Sequence, residues 1–191
     1  LLESRGLGDV YKRQIKILIK IKLDKLSMAN FKPYDERPYR PCVGIMVFNN
    51  NGLVFSGKRI DNPNNAWQLP QGGIDEGETV VEAGYRELME ETSITSVDYI
   101  AEYPDWINYD VPHNLADKLW QGQFRGQSQK WILFNFNGQD NEINIHTSHP
   151  EFVEWQWTNP LDLSNRAIYF KKDVYEKINH VFLPIISDFI N

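Results

Sequence analysis

The sequence predicts a single α/β (α+β) domain, and two observations carry that expectation. Short apolar or alternating runs bounded by turn residues recur from Val43 to Trp157. Two helical patterns, one opening at Thr79 and one over Asp173 to Ile190, interrupt and close that series. A chain of 191 residues suffices for one sizeable core, so one domain over residues 28–191 is expected.

The first 27 residues read differently from the rest, ending in the alternating apolar and basic run Ile15-Lys16-Ile17-Leu18-Ile19-Lys20. That run is too short and too charged to span a bilayer, and it lacks the cleavage site of a targeting peptide. Residues 1–27 are therefore expected to be a non-native or disordered extension ahead of Met28.

Val43 to Phe48 reads as an apolar strand, Asn49-Asn50-Asn51-Gly52 as a turn and Leu53 to Arg59 as the returning strand of a hairpin. Asp61 to Ala66 is loop, and Trp67 to Pro70 is a short extended piece leading into Gly72-Gly73. Thr79 can cap the helix that follows, with Glu82 reaching back to the cap's own N–H. Val81, Tyr85 and Leu88 lie at the spacing of an apolar stripe. Val97 to Tyr103 reads as a strand, and Pro104 to Ser128, with no clean period, as an irregular lid or substrate loop. Lys130 to Phe136 has strand composition, Glu142 to His146 a weaker strand pattern, and Pro150 to Trp157 an alternation that buries one face. In the closing helix Val174, Ile178 and Phe182 share one side, and Pro184 is expected to kink or end its first part.

A formal net charge of −6 argues against a broad duplex-binding surface, which needs clustered Lys and Arg, but not against gripping one end of a nucleic acid. Cys42 is the only cysteine, so no internal disulfide or cysteine-based metal site can form. A buried thiol in a reducing, cytoplasmic compartment is expected. His113, His146, His149 and His180 show no ligand spacing.

The chemistry centres on Glu87, Glu90 and Glu91, whose spacing puts three carboxylates on neighbouring positions of one helix. Alone, such a cluster is ordinarily a solvated helix face. Carboxylates one turn apart also suit a hard divalent cation, Mg²⁺ or Mn²⁺, of the kind that binds substrate phosphates as well. Such an ion lowers the pKa of bound water while a nearby carboxylate accepts the proton, so a phosphoanhydride is the natural substrate. The Gly72-Gly73 pair lets backbone approach metal or phosphate closely.

Gly72, Glu78 and Arg86-Glu87-Leu88-Met89-Glu90-Glu91 together resemble the signature box of the Nudix hydrolase family, with Ser93 standing where that pattern has glycine. The departure bears on the helix exit more than on the chemistry. Further motifs, Tyr39-Arg40-Pro41, Trp67 to Gly73, Gly126-Gln127, Gln129-Lys130-Trp131, Pro150-Glu151-Phe152 and Phe170 to Tyr175, resemble the family's bacterial RNA pyrophosphohydrolases, also described as dinucleoside polyphosphate hydrolases. The resemblance implies a Nudix fold, a mixed β-sheet sandwiched between α-helices. It implies Mg²⁺-dependent removal of pyrophosphate from a triphosphorylated or diphosphorylated RNA 5′ end by a monomer or small homo-oligomer. Diadenosine tetra- or pentaphosphate hydrolysis and a non-catalytic nucleotide-sensing module are the alternatives.

Carried over by position, the resemblance makes Glu87, Glu90 and Glu91 metal ligands with Glu90 as the base, adds Glu151 from a distant loop, and includes Gly72 in the metal site. Arg86 is expected to pair with Glu78 or Glu82. Arg40, Lys58, Arg59 and Lys130 are candidates for phosphate contact, and Phe170 for stacking a base. Taken singly, each of those cations would be an ordinary surface charge and Phe170 a core aromatic.

Overall fold

The structure is a computed structural model that describes residues 32–61 and 66–191; the expectation for residues 1–27 lies outside them. Tyr39–Val111 and Gly126–Asn191 form one compact unit, which holds the whole sheet. Its strands are β1 (Tyr39–Phe48), β2 (Val54–Arg59), β3 (Trp67–Gln68), β4 (Gln71–Gly73), β5 (Val97–Glu102), β6 (Ile107–Asp110), β7 (Gly126–Phe136) and β8 (Phe152–Thr158). The main path runs β3-β2-β1-β7-β5, with β4 on β1, β6 on β7 and β8 on β2. At its centre β1 and β7 pair in parallel from Tyr39↔Gly126 to Phe48↔Asn135, while the remaining pairs are antiparallel. The sheet is mixed.

Alternation along β1 and β7 sends side chains to two covered faces. On one face Val43, Ile45, Val47, Ile132 and Phe134 pack with Ala83 and Leu88 of helix α1 (Val80–Thr92). Gly84 of α1 lies so close to Ile132 that an added Cβ would come within 2.9 Å of its Cδ1. This contact turns the helix: Ala83, Gly84, Leu88 and Glu91 are buried, and Tyr85 of the expected stripe is half out, its ring tilted against Phe134. The opposite face carries Phe48 and Trp131. Tyr175 of the C-terminal helix meets Trp131 edge to face, and Phe189 meets Phe48 in the same way.

That helix spans Lys172–Ile190 and runs through Pro184 rather than ending there. Val174, Ile178 and Phe182 are buried as the spacing predicts, joined by Tyr175, Asn179 and Ile186. Packing of this face holds the helix together across the missing N–H. Among the described residues no helix is long and apolar enough to cross a membrane.

Two other expectations need correction. The stretch read as an irregular lid begins with strand β6, whose Ile107 and Tyr109 face inward while Asn108 and Asp110 face out. It was hidden by its length, since four residues give too few alternations to register. Residues 112–125 belong with 32–38 to a smaller unit, containing helix α2 (His113–Ala116), a ring stack of Tyr34 on His113 and an Arg37–Asp117 ion pair of 2.7 Å. The second correction is at Glu142–His146, which is not a strand. A 3₁₀ turn over Asp140–Glu142 leads into Ile143 and Ile145, both buried, while the Asn144 amide donates to Thr92 O. The Glu142 carboxylate accepts from the Thr95 and Ser96 amides. The alternation therefore packs a loop against the exit of α1 instead of building a ladder.

Candidate active site

Thr79 caps α1 as a capping box: its hydroxyl accepts from the Glu82 amide at 3.2 Å, and its own amide donates to Glu82 at 2.8 Å. Glu82 is thereby taken, and Arg86 pairs with Glu78 alone of the two expected partners. Its Nε and Nη2 donate to the two Glu78 oxygens, each at 2.8 Å, and Nη2 also donates to Gly73 O at 2.8 Å. The guanidinium holds the Glu78 carboxyl down at about 2. Its Nη1 reaches forward to Glu87 at 2.8 Å and to Glu90 at 3.4 Å. Part of the cation expected beside the three carboxylates is thus supplied by the helix itself.

At the helix exit Ser93 adopts the left-handed conformation of a C-cap, φ 62°, and its amide donates to Met89 O. A geometry that favours glycine is kept here by a serine, whose hydroxyl donates to Asn144 O at 3.2 Å. The loop carrying Ile143 and Ile145 thus helps to hold the strained residue.

Strand β4 runs directly beneath the carboxylates. Gly72 has no room for a side chain, because a Cβ there would overlap the Glu87 carboxylate, and one on Gly73 would overlap the Arg40 guanidinium. Glu91 is 6% exposed and accepts from the Gln71 amide at 3.3 Å. Burial first, then the charges of Glu151 and Glu87, push its carboxyl well above the ordinary range. Burial also pushes Glu87 up, against the pull of Arg86. Glu90 is the open member of the set, its side chain 52% exposed.

Glu151 comes from the residue before β8, where its carbonyl accepts from the Ile60 amide. Its carboxylate lies 3.7 Å from Arg59, which is also clamped by both oxygens of Asp61 at 2.6 Å. Among the described residues no three acidic, histidine or cysteine side chains already converge as ligands. Arginines hold the carboxylates in this conformation, Arg86 on one side and Arg59 on the other. Like-charged carboxylates, Glu91 buried among them, against the two glycines of β4 nonetheless fit a hard cation, whose charge would offset the burial and repulsion that raise Glu91.

Of the other candidates, Arg40 lies at the site, against Gly73 and donating to Cys42 Sγ at 3.4 Å. Burial pushes the Cys42 thiol up to about 11. Phe170 stacks on Tyr109 with ring centroids 5.9 Å apart, beside a Tyr169 that is 74% exposed, so it is neither core nor wholly free. Lys58 and Lys130 are engaged elsewhere. Lys58 pairs with Glu154 across β2 and β8 at 3.4 Å, and Lys130 is buried, donating to Pro104 O at 2.6 Å and pairing with Glu102 at 3.0 Å.

Sequence reasoning missed a polar group behind β4. Lys171 is 5% exposed and donates to Gln71 and Gln68 side-chain oxygens at 2.7 and 3.2 Å. Gln129 donates to the same Gln71 oxygen at 2.8 Å and to Gln127 at 3.0 Å, and Gln127 accepts in turn from the Tyr109 hydroxyl. Burial, then the nearby Arg59, lowers Lys171 to about 7. The glutamines at 127 and 129, two apart in a strand, carried the signal: they share one face that the apolar pattern would bury.

This helix and glycine strand on a mixed sheet define a Nudix domain, and the chain belongs to that family: the NUDIX domain profile matches residues 38–178. The dihydroneopterin triphosphate pyrophosphohydrolase of E. coli shares the fold, with TM-score 0.58 and 18% identity over 74% of this chain and 97% of that one. A C. elegans Ap4A hydrolase in a binary complex does so with TM-score 0.53 and 19% identity over 75% and 98%. Nearer in sequence are proteins named RNA pyrophosphohydrolase. That of Cereibacter sphaeroides (strain ATCC 17029 / ATH 2.4.9) is 49% identical over 78% of this chain and 94% of its own length. Those of Wolbachia pipientis subsp. Culex pipiens and Pelagibacter ubique are 47% and 49% identical, over 80% and 75% of this chain and 94% of each relative.

Proposed function

We propose that this chain is a divalent-metal-dependent hydrolase that converts RNA 5′ ends to the monophosphate, removing pyrophosphate from triphosphorylated ends or orthophosphate from diphosphorylated ones. The observation that carries the reading is Glu91, a carboxylate raised by burial and then by its like-charged neighbours and held by the Gln71 amide, in a chain similar over most of its length to RNA pyrophosphohydrolases.

Glu87, Glu90, Glu91 and Glu151 would hold Mg²⁺ or Mn²⁺, with Gly72 contributing the space that a side chain would take from Glu87. Bound there, the ion supplies charge neutralisation of the phosphates and a lowered water pKa. Glu90, the open carboxylate, accepts the proton of the attacking water. Arg40 and Arg59 bind phosphate oxygens, with Arg59 exchanging Glu151 for substrate. Phe170, backed by Tyr109, stacks a base. Arg86 does not touch substrate; it ties Glu78 and Gly73 to the helix so that the carboxylates keep their places.

The Phe170 ring also suits a dinucleoside polyphosphate, so that is the second reading. Hydrolysis rates on triphosphorylated RNA, a dinucleoside polyphosphate and a nucleoside triphosphate distinguish the two. The RNA reading expects the first to be fastest by at least tenfold and all three to stop in excess EDTA; preference for the dinucleotide would reverse the assignment. A purely nucleotide-sensing module is disfavoured because all three carboxylates of the box are retained.

A further inference from the structure

Strand β4 is only three residues long and pairs with β1 on one side, so its other edge depends on what holds it. That edge faces the carboxylates and is pinned at both ends. The Gln71 amide donates to Glu91 at 3.3 Å, and the Gly73 carbonyl accepts from Arg86 at 2.8 Å, with Gly72 between them. At the Arg86 end the charge-assisted bond is strong and backed by Glu78. The Gln71 end has a longer bond and needs another anchor.

The Gln71 side chain provides it from behind. Its oxygen accepts from two buried donors on different elements: Gln129 of β7, which is fully buried, and Lys171, the residue before the C-terminal helix. Both donors are fixed in turn, Gln129 by Gln127 and Lys171 by Gln68. A carboxamide held from two sides cannot turn without breaking one buried hydrogen bond from an amide and one from an ammonium, which is costly. The peptide N–H of the same residue is therefore held toward Glu91.

We infer that Gln71 is a positioning residue for the cation site: its side-chain oxygen, clamped by Gln129 and Lys171, sets the β4 backbone so that its outer edge holds Glu91 in place toward the ion. This rests on the metal-dependent reading above. Outer partners of this kind typically change metal affinity by about 10–100-fold when removed. The feature that matters is an acceptor at this position, so a carboxylate should serve where a thioether cannot.

The test is Mn²⁺ binding to the full chain without substrate, by isothermal titration calorimetry, alongside the metal-free melting temperature. Gln71→Met should weaken Mn²⁺ about tenfold, Gln71→Glu should stay within about twofold of the parent, and Gln129→Met should fall between. A folded Gln71→Met variant that binds Mn²⁺ like the parent overturns the inference, and so does equal weakening in Gln71→Glu. Should Gln71→Met not fold, Gln129→Met decides, parent-like affinity again counting against. If the parent itself binds no Mn²⁺, the metal-dependent reading fails instead.

Discussion

Arg86 grips Glu78 with two parallel hydrogen bonds, Nε to Oε1 and Nη2 to Oε2, both 2.8 Å, although the two are separated by the whole first turn of α1. This fork spans the entry of the helix and fastens the glycine strand to it through Gly73 O.

Arg86→Lys should therefore lose more than a charge-conserving change suggests, because an ammonium cannot reproduce the paired geometry. The expected cost is about 1–3 kcal/mol of stability, read as a lower denaturation midpoint with unchanged slope. Activity should fall together with Mn²⁺ affinity.

Glu91→Gln should separate stability from function. Folding raises the pKa of this carboxyl, so the folded state holds its proton more tightly than the unfolded one. Its destabilising effect is absent below the unfolded value, grows as pH rises through the raised value, and is full above it. Without metal the variant should melt higher than the parent at pH 8, by about 2–4 °C for each kcal/mol recovered, and by less at pH 5. Added Mn²⁺ should stabilise only the parent, and turnover should be lost in the variant.

Ser93→Gly should stabilise the protein by about 0.5–1 kcal/mol, since glycine adopts positive φ without strain. Loss of the Ser93–Asn144 hydrogen bond offsets part of the gain. Thermal unfolding checks the sign, and kcat is expected to stay unchanged.

Lys171→Met should change stability more favourably at low pH than at high pH, against a constant cost from the lost bonds to Gln68 and Gln71. The folded protein holds this ammonium at about 7, well under its ordinary value of 10.5, so the unfolded chain binds more protons between those limits. The burial penalty is full below pH 7 and vanishes above about 10.5. The melting temperature of the variant relative to the parent should fall from pH 6 to pH 9; a flat difference would assign the effect to packing alone.

Phe170→Ala should cost about 1–3 kcal/mol in kcat/KM where a base occupies the ring. Triphosphorylated RNA and a dinucleoside polyphosphate should suffer, and a substrate lacking a base there should be spared. Equal losses on all substrates with a lower melting temperature would make the ring a support for Tyr109 only.

The capping box, the hairpin and the buried side of the last helix were legible because each rests on local spacing. So were the three carboxylates. What spacing could not show is which neighbour claims a charge: Lys58, Arg59 and Lys130 look like Arg40 in sequence, yet Glu154, Asp61 and Glu102 pair with them. The stripe expected on α1 departs at one residue: Leu88 is buried and Val81 packs against the core, but Tyr85 is half out. Tyr85 fits an apolar stripe, but Gly84 offers the sheet a closer approach than any stripe of side chains. Lys171 stayed hidden because its burial depends on glutamines from three separate strands and loops.

The parallel pairing of β1 with β7 also governs when the protein can fold. Every strand from β2 to β6 and the whole of α1 lies between the two partners in the chain, so the central ladder closes a very long loop before it gains its first contact. During synthesis β1 must wait, its Val43 to Phe48 run exposed, until β7 leaves the ribosome. Until then β1 can pair only with β2 and β4, while α1 forms locally. Folding should accordingly be slow relative to a helical protein of this size, and the waiting strand is the segment most open to misassociation.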